Sequence, residues 1–250
     1  IQETLRHYVS KEILPTIADH FLNHTFPKKV FKELGSLGAL GANLTGYGCA
    51  GLGEVTYGLI MQELERGDSG IRSAISVQGA LSMFPIWSYA NEELKKKYLP
   101  EMARGELIGC FGLTEPDHGS NPGGMQTRAV KKGDQFILNG SKMWITNGGL
   151  ANIAIVWAKL SDESDRIGGF IVPTDAHGMK VRNIGKKFSL NASVTSELIM
   201  EDCVVSERNQ LNVRGLKGPF SCLNHARYGI SWGAMGSAMA CFDEAKQYAL

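Results

Sequence analysis

The hydrophobic period of this sequence changes near Leu107, and that change limits the possible folds more than any other feature. Before it, apolar residues recur at helical spacing, as in Leu5, Tyr8, Val9 and Ile13. Pro15 falls inside that pattern and is expected to kink or end the helix. Val30, Phe31 and Leu34 begin a short helix after Pro27. The stretch from Gly53 to Arg66 puts Val55, Leu59 and Leu64 on one side, with Glu63, Glu65 and Arg66 outside it. Ser69 is expected to cap a helix through Leu81, and Asn91 to cap the next.

After Leu107 come short apolar runs bounded by turn residues: Ile108–Leu113, Phe136–Leu138, Ile153–Ala158, Gly169–Val172, Met179–Val181 and Leu198–Met200. Lys132-Gly133-Asp134 and Asn139-Gly140 read as turns between strands. Strands at this spacing predict a small barrel or sandwich. Gly218-Pro219 then opens a long helix from Phe220 to Leu250. Its small residues, Gly233, Ala234, Gly236, Ser237, Ala238 and Ala240, permit close approach by another helix, expected to lie outside this sequence. The fold class is therefore α+β and multidomain. Residues 1–107 form a helical domain, 108–212 a β domain, and 213–250 the first helix of a C-terminal bundle. The ends resemble cuts in a longer chain.

Charge narrows the function classes. Lys+Arg total 26 and Asp+Glu 25, which gives neither a basic nucleic-acid face nor a polybasic membrane patch. The five cysteines are widely spaced without a CxxC, which fits neither a disulfide framework nor a zinc ribbon and suits a reducing compartment. There is no GxGxxG, no Walker loop and no GxSxG elbow. His118 and His225 have no metal-ligand companions at suitable spacing.

Four segments could carry chemistry. Phe111-Gly-Leu-Thr-Glu-Pro-Asp-His-Gly-Ser-Asn-Pro122 joins a strand to a loop with hydroxyls at Thr114 and Ser120 and a glycine at Gly119. Asn139-Gly-Ser-Lys-Met-Trp-Ile-Thr-Asn147 places Trp144 and Thr146 on one strand face, where an indole and a hydroxyl could meet a flat heteroaromatic ring. Arg72 is a lone cation among Ile71, Ala74, Ile75 and Val77, and a guanidinium can grip a carboxylate. Asn224 and Arg227 lie one turn apart near a helix start and could face a phosphorylated or amide-bearing ligand. By residue type alone, each has a plainer and weightier reading: a loop exit, a core Trp, a surface Arg stem and a solvated helix face.

The order of these segments is more specific than any one of them. Together with Lys187-Phe-Ser-Leu190 and Gly218-Pro-Phe-Ser-Cys-Leu-Asn-His-Ala-Arg-Tyr-Gly229, the chain resembles the acyl-CoA dehydrogenase family over nearly its whole length. Within that family, Gly46–Gly51, Glu63–Ser73, Lys187–Leu190 and Gly218–Gly229 resemble the glutaryl-CoA dehydrogenase branch. The resemblance implies an FAD enzyme. Phe111, Leu113, Thr114, Gly119, Ser120, Trp144, Ile145 and Thr146 would border the flavin. Ser120, Phe220, Leu223, Asn224 and Arg227 would border CoA, and Arg72 and Ser73 the distal carboxylate of glutaryl-CoA, with Glu65 nearby. It also implies a catalytic Glu downstream of this sequence, electron transfer to an electron-transferring flavoprotein, and a homotetramer. The location would be the mitochondrial matrix in a eukaryote or the cytoplasm in a bacterium. His118 and Asn121 depart from the family pattern, which more often has a small residue and Asp there.

Overall fold

A computed structural model describes residues 1–250. The first helical run joins α1 (Gln2–Tyr8) to α2 (Leu14–Leu22) through a π-turn at Val9–Ile13. Pro15 therefore does not end the helix. A proline ring collides with the carbonyl four residues earlier, and the wider π-turn immediately before it makes room. The same device recurs later. After α3 (Val30–Ser36), the β1–β2 ribbon (Thr45–Gly46 and Cys49–Ala50) and α4 (Gly53–Gly67), α5 (Ser69–Ser76) runs through a π-turn at Val77–Met83 into α6 (Phe84–Tyr89), which carries Pro85.

The caps follow local chemistry. Asp68, not Ser69, caps α5, its carboxylate accepting from Gly70 N and Ile71 N. Extended backbone at Asp68 aims its side chain at those free amides. Asn91 caps α7 (Glu92–Ala103) by accepting from Leu94 N. In α4 the buried face is Tyr57, Ile60, Met61 and Leu64, whereas Val55 is exposed. Glu63 is also buried, because Gln2, Arg6 and Arg66 all donate to its carboxylate.

The β domain comprises β3 (Gly109–Gly112), β4 (Arg128–Lys132), β5 (Gln135–Thr146), β6 (Ile153–Leu160), β7 (Arg166–Pro173), β8 (Met179–Asn183), β9 (Thr195–Ser206) and β10 (Gln210–Arg214). They form one eight-stranded sheet in the order β10-β7-β6-β4-β5-β9-β8, with β3 parallel to β6. Lys132-Gly133-Asp134 does turn β4 into β5, with Gly133 at φ +62°. Asn139-Gly140 does not turn. It lies inside the 12-residue β5, where the β5–β9 register shifts between Leu138 and Gly140. A Cβ at Gly140 would come within 2.6 Å of Thr127 Oγ1, so glycine lets β5 pass close to the residue leading into β4. The extra residue of the register shift lies on β9, where Asp202 takes a left-handed φ of +49°.

Strand alternation sends the sheet's side chains into two cores. Ala154, Val156 and Ala158 of β6 join a core made wholly of β-domain residues, in which Phe136 and Phe170 lie 5.0 Å apart across non-adjacent strands. Ile153, Ile155 and Trp157 point the other way and share a core with the helices. Buried amides pin this junction. Gln78 Oε1 accepts from Gly109 N at 2.8 Å, and its Nε2 donates to Leu107 O at 2.8 Å. Asn147 Nδ2 donates to Ala74 O at 2.9 Å.

The last helix, α8 (Lys217–Ala249), finds its partner within the chain, contrary to the sequence expectation. It packs on α4. A Cβ at Gly229 would meet Tyr57 Oη at 2.6 Å, and one at Gly236 would meet Gln62 O at 2.0 Å. The small residues on this face thus set the α4–α8 separation. No helix is long and apolar enough to cross a membrane, and all five cysteines are free.

Candidate active site

A cleft of about 380 Å³ opens where helices, sheet and α8 meet. Phe111, Leu113 and Thr114 leave the end of β3, and the following loop adds Gly119, Ser120 and Pro122. The end of β5 adds Trp144, Ile145 and Thr146. One face of α8 adds Phe220, Leu223 and Arg227 at i, i+3 and i+7. The π-turn before α6 adds Val77 and Leu81, which sequence reasoning missed. Pro122 was missed as well.

The geometry at β5 differs from simple alternation. The β5–β9 register breaks again between Lys142 and Ile145, and Trp144 adopts a left-handed φ of +62°. The bulge brings three consecutive residues, Trp144, Ile145 and Thr146, to the cleft, where an unbroken strand would send Ile145 to the opposite face from its neighbours. Trp144 is 61% exposed, so it is not a core residue.

Beneath this floor lies an ion pair that the sequence reading did not find. Lys142 is completely buried, and its Nζ donates to Glu115 Oε1 at 2.8 Å and Leu113 O at 3.2 Å. Glu115 also accepts from Gln126 N at 2.6 Å, Thr127 N at 3.0 Å and Thr127 Oγ1 at 2.5 Å. Burial disfavours the Glu115 carboxylate, but the Lys142 charge and these donors outweigh it and hold its pKa down at about 2. Burial draws the Lys142 pKa down to about 8 against the opposing pull of Glu115. A signal was present in the sequence. Lys142 shares the inward parity of Phe136 and Leu138, and a lysine on an inward strand face requires a buried acid.

Glu65, Arg72, Ser73 and Asn224 do not line this cleft. Arg72 is also not a lone cation. Its Nε donates to Glu65 Oε2, and both side chains are about nine-tenths buried. Gly233 of α8 lies against the pair, since a Cβ there would come 2.7 Å from Glu65 Oε2 and 3.3 Å from Arg72 Nε. That bond is the only one Arg72's side chain makes within the chain, although a guanidinium carries five N–H donors.

Residues 1–106 match the acyl-CoA dehydrogenase N-terminal domain, and residues 110–203 match the acyl-CoA dehydrogenase middle domain. The chain belongs to the acyl-CoA dehydrogenase family. It superposes with a TM-score of 0.96 on a glutaryl-CoA dehydrogenase from Mycobacterium smegmatis in complex with FADH2, at 50% identity over 99% of this chain and 64% of that one. It superposes with a TM-score of 0.93 on butyryl-CoA dehydrogenase from Megasphaera elsdenii, at 34% identity over 99% of this chain and 67% of that one. It is 34% identical to the mitochondrial short-chain specific acyl-CoA dehydrogenase of Rattus norvegicus, over 100% of this chain and 62% of the relative. This acyl-CoA dehydrogenase chain thus spans between 62% and 67% of the lengths of these relatives.

Proposed function

We propose that this chain forms the N-terminal and middle parts of an FAD-dependent dehydrogenase that oxidises and decarboxylates glutaryl-CoA to crotonyl-CoA. The observation that carries the substrate class is Arg72, a buried guanidinium with one hydrogen bond and spare donors. A distal substrate carboxylate supplies the acceptors it lacks. Its pairing with Glu65 also orients the guanidinium before substrate arrives. The identity of 50% to a glutaryl-CoA dehydrogenase supports the same reading.

The cleft fits a flavin. Phe111, Leu113 and Ile145 give it apolar walls, Trp144 offers an exposed indole, and Thr114 and Thr146 add hydroxyls that bond to no other side chain. Its volume, about 380 Å³, lies in the usual range for small-molecule sites. When bound, FAD supplies the hydride acceptor. The chain's own residues hold and orient. Trp144 and Leu113 would hold the flavin, and Thr114 and Thr146 would offer it hydroxyl donors. Ser120 and the exposed Arg227 at the cleft suit the anionic, polar CoA portion. The thioester acidifies the α C–H, and a carboxylate base removes that proton. We place this base in the part of the protein beyond residue 250. An electron-transferring flavoprotein would be the partner that accepts the electrons.

One observation favours a second reading. Arg72 already has a carboxylate partner in Glu65, and a closed pair would suit a short monocarboxylic acyl-CoA such as butyryl-CoA. Anaerobic addition of each thioester to the flavin-loaded, full-length protein separates the two. The proposed function predicts bleaching of the oxidised flavin band by glutaryl-CoA with stoichiometric CO2 release. Bleaching by butyryl-CoA alone would replace it with the second reading.

A further inference from the structure

Two walls of the cleft are carried by segments that are far apart in sequence. One is the loop from Thr114 to Met125, which supplies Gly119, Ser120 and Pro122; the other is the end of β5. Glu115 and Lys142 lie under both. Glu115 gathers the two ends of the loop. Its backbone pairs with His118, and its carboxylate takes the amides of Gln126 and Thr127. Lys142 extends its stem over Gly112, where a Cβ would stand 3.2 Å from Lys142 Cγ. Its ammonium reaches Glu115 and Leu113 O.

The next residue, Met143, donates its N–H to Thr114 O at 2.8 Å. Trp144 then takes its left-handed turn. A bulky residue keeps such a conformation only where its surroundings enforce it. Two links join this bulge to the residues just after β3, Met143 N to Thr114 O and Lys142 Nζ to Leu113 O, beside the β9 pairing on either side of it. Stability alone does not call for charges here, because a buried ion pair is often no better than apolar residues filling the same space. A fully satisfied polar network does fix one geometry.

We propose that Glu115 and Lys142 are a positioning pair that couples the two walls, holding the loop 114–125 and the Trp144 bulge in one relation before any ligand enters. Toward FAD the pair acts through that placement alone. This ligand role rests on the proposed function above, whereas the coupling of the walls does not.

The test uses the full-length protein and the double variant Glu115→Gln/Lys142→Met, which removes both charges at nearly constant shape. Amide hydrogen exchange is followed in peptides covering 116–127 and 143–147, with α7 as the internal reference. The expected result is exchange at least tenfold faster in both segments, with α7 unchanged and FAD bound at least tenfold more weakly. Faster exchange in one wall only, in neither, or everywhere including α7 overturns the coupling. Loosened walls with FAD affinity within twofold of the parent overturn the ligand role and keep the coupling. A parent protein that holds no FAD overturns the proposed function, while the exchange data still decide the coupling. If the double variant does not fold, Thr127→Val removes one donor to Glu115 and leaves both charges in place. It should speed exchange about threefold in both walls, and no change in either overturns the proposal.

Discussion

The molecule contains two buried carboxylate–cation pairs built on opposite plans. Glu115 accepts from Lys142, Gln126 N, Thr127 N and Thr127 Oγ1, so its lone pairs are used up by the protein. Glu65 and Arg72 share one bond, leaving most of the guanidinium's donors free. Both pairs carry the desolvation cost of buried charge. Only the first is compensated within the chain. A saturated pair defines geometry, and an unsaturated one has capacity left for a ligand. The saturated pair lies under the cleft's joint, and the unsaturated one lies at the α4–α5–α8 contact, where Gly233 leaves it room.

Breaking each pair from one side should separate the plans most strongly. Lys142→Met takes the counter-charge from buried Glu115, leaving only the Gln126 and Thr127 donors, and should lower stability by about 3–5 kcal/mol in urea unfolding. Arg72→Gln should cost clearly less, because the glutamine amide can still donate to Glu65. Equal losses would erase the distinction.

Acid offers the next largest effect. The folded Glu115 pKa of about 2 lies below the ordinary value of 4.5, so the folded state binds fewer protons than the unfolded state between them. The stability this confers is present above about pH 4.5 and is lost as pH falls toward 2. Its size is on the order of 2–3 kcal/mol. Unfolding free energy measured down this range should therefore fall steeply in the parent protein and less steeply in Glu115→Gln.

Two glycine substitutions refine the comparison. Gly236→Ala drives a methyl into Gln62 O and should cost about 1–3 kcal/mol of stability as α8 shifts from α4. Gly233→Ala meets the movable Glu65 carboxylate instead. It should cost about 1 kcal/mol, but in the full-length enzyme it should raise KM for glutaryl-CoA more than KM for butyryl-CoA. A uniform rise in both would make Gly233 a packing residue only. The smallest effect sets the baseline. Lys180–Glu201 is a solvent-exposed pair, and Lys180→Ala should change stability by less than about 0.5 kcal/mol.

The cleft was more legible in the sequence than the pairs beneath and beside it. Phe111 to Ser120 and Trp144 to Thr146 are contiguous runs, and all their named residues line the cleft. Six of the eight sheet strands were legible because apolar runs and turn residues are local, whereas β4 and β10, whose few buried residues lie among charged and polar ones, gave no apolar run. What escaped depends on contacts across sequence or on broken periods. Asn139-Gly140, an apparent hairpin signal, lies inside one long strand whose irregularity there is carried by β9, and the bulge at Trp144 breaks the strand period that sequence counting relies on. Glu63 looked like an outer residue of α4 until Arg6 and Gln2 met it from α1. The small residues from Gly233 to Ala240 announced a helix partner, but α4 lies far back in the sequence and its facing glycine, Gly58, gives little local signal. Arg72 drew attention as an isolated cation, and its pairing with Glu65 became visible only when α4 and α5 were seen side by side.

The central claim is that Arg72's spare donors serve a substrate carboxylate. The direct measurement is kcat/KM of full-length parent and Arg72→Gln proteins with glutaryl-CoA and butyryl-CoA, read against an electron-transferring flavoprotein. Losing a charge-assisted contact of about 1.5–3 kcal/mol corresponds to a drop of roughly 10- to 100-fold. The account predicts that drop for glutaryl-CoA and a change within about threefold for butyryl-CoA. Equal losses on both substrates, or none on glutaryl-CoA, would contradict it.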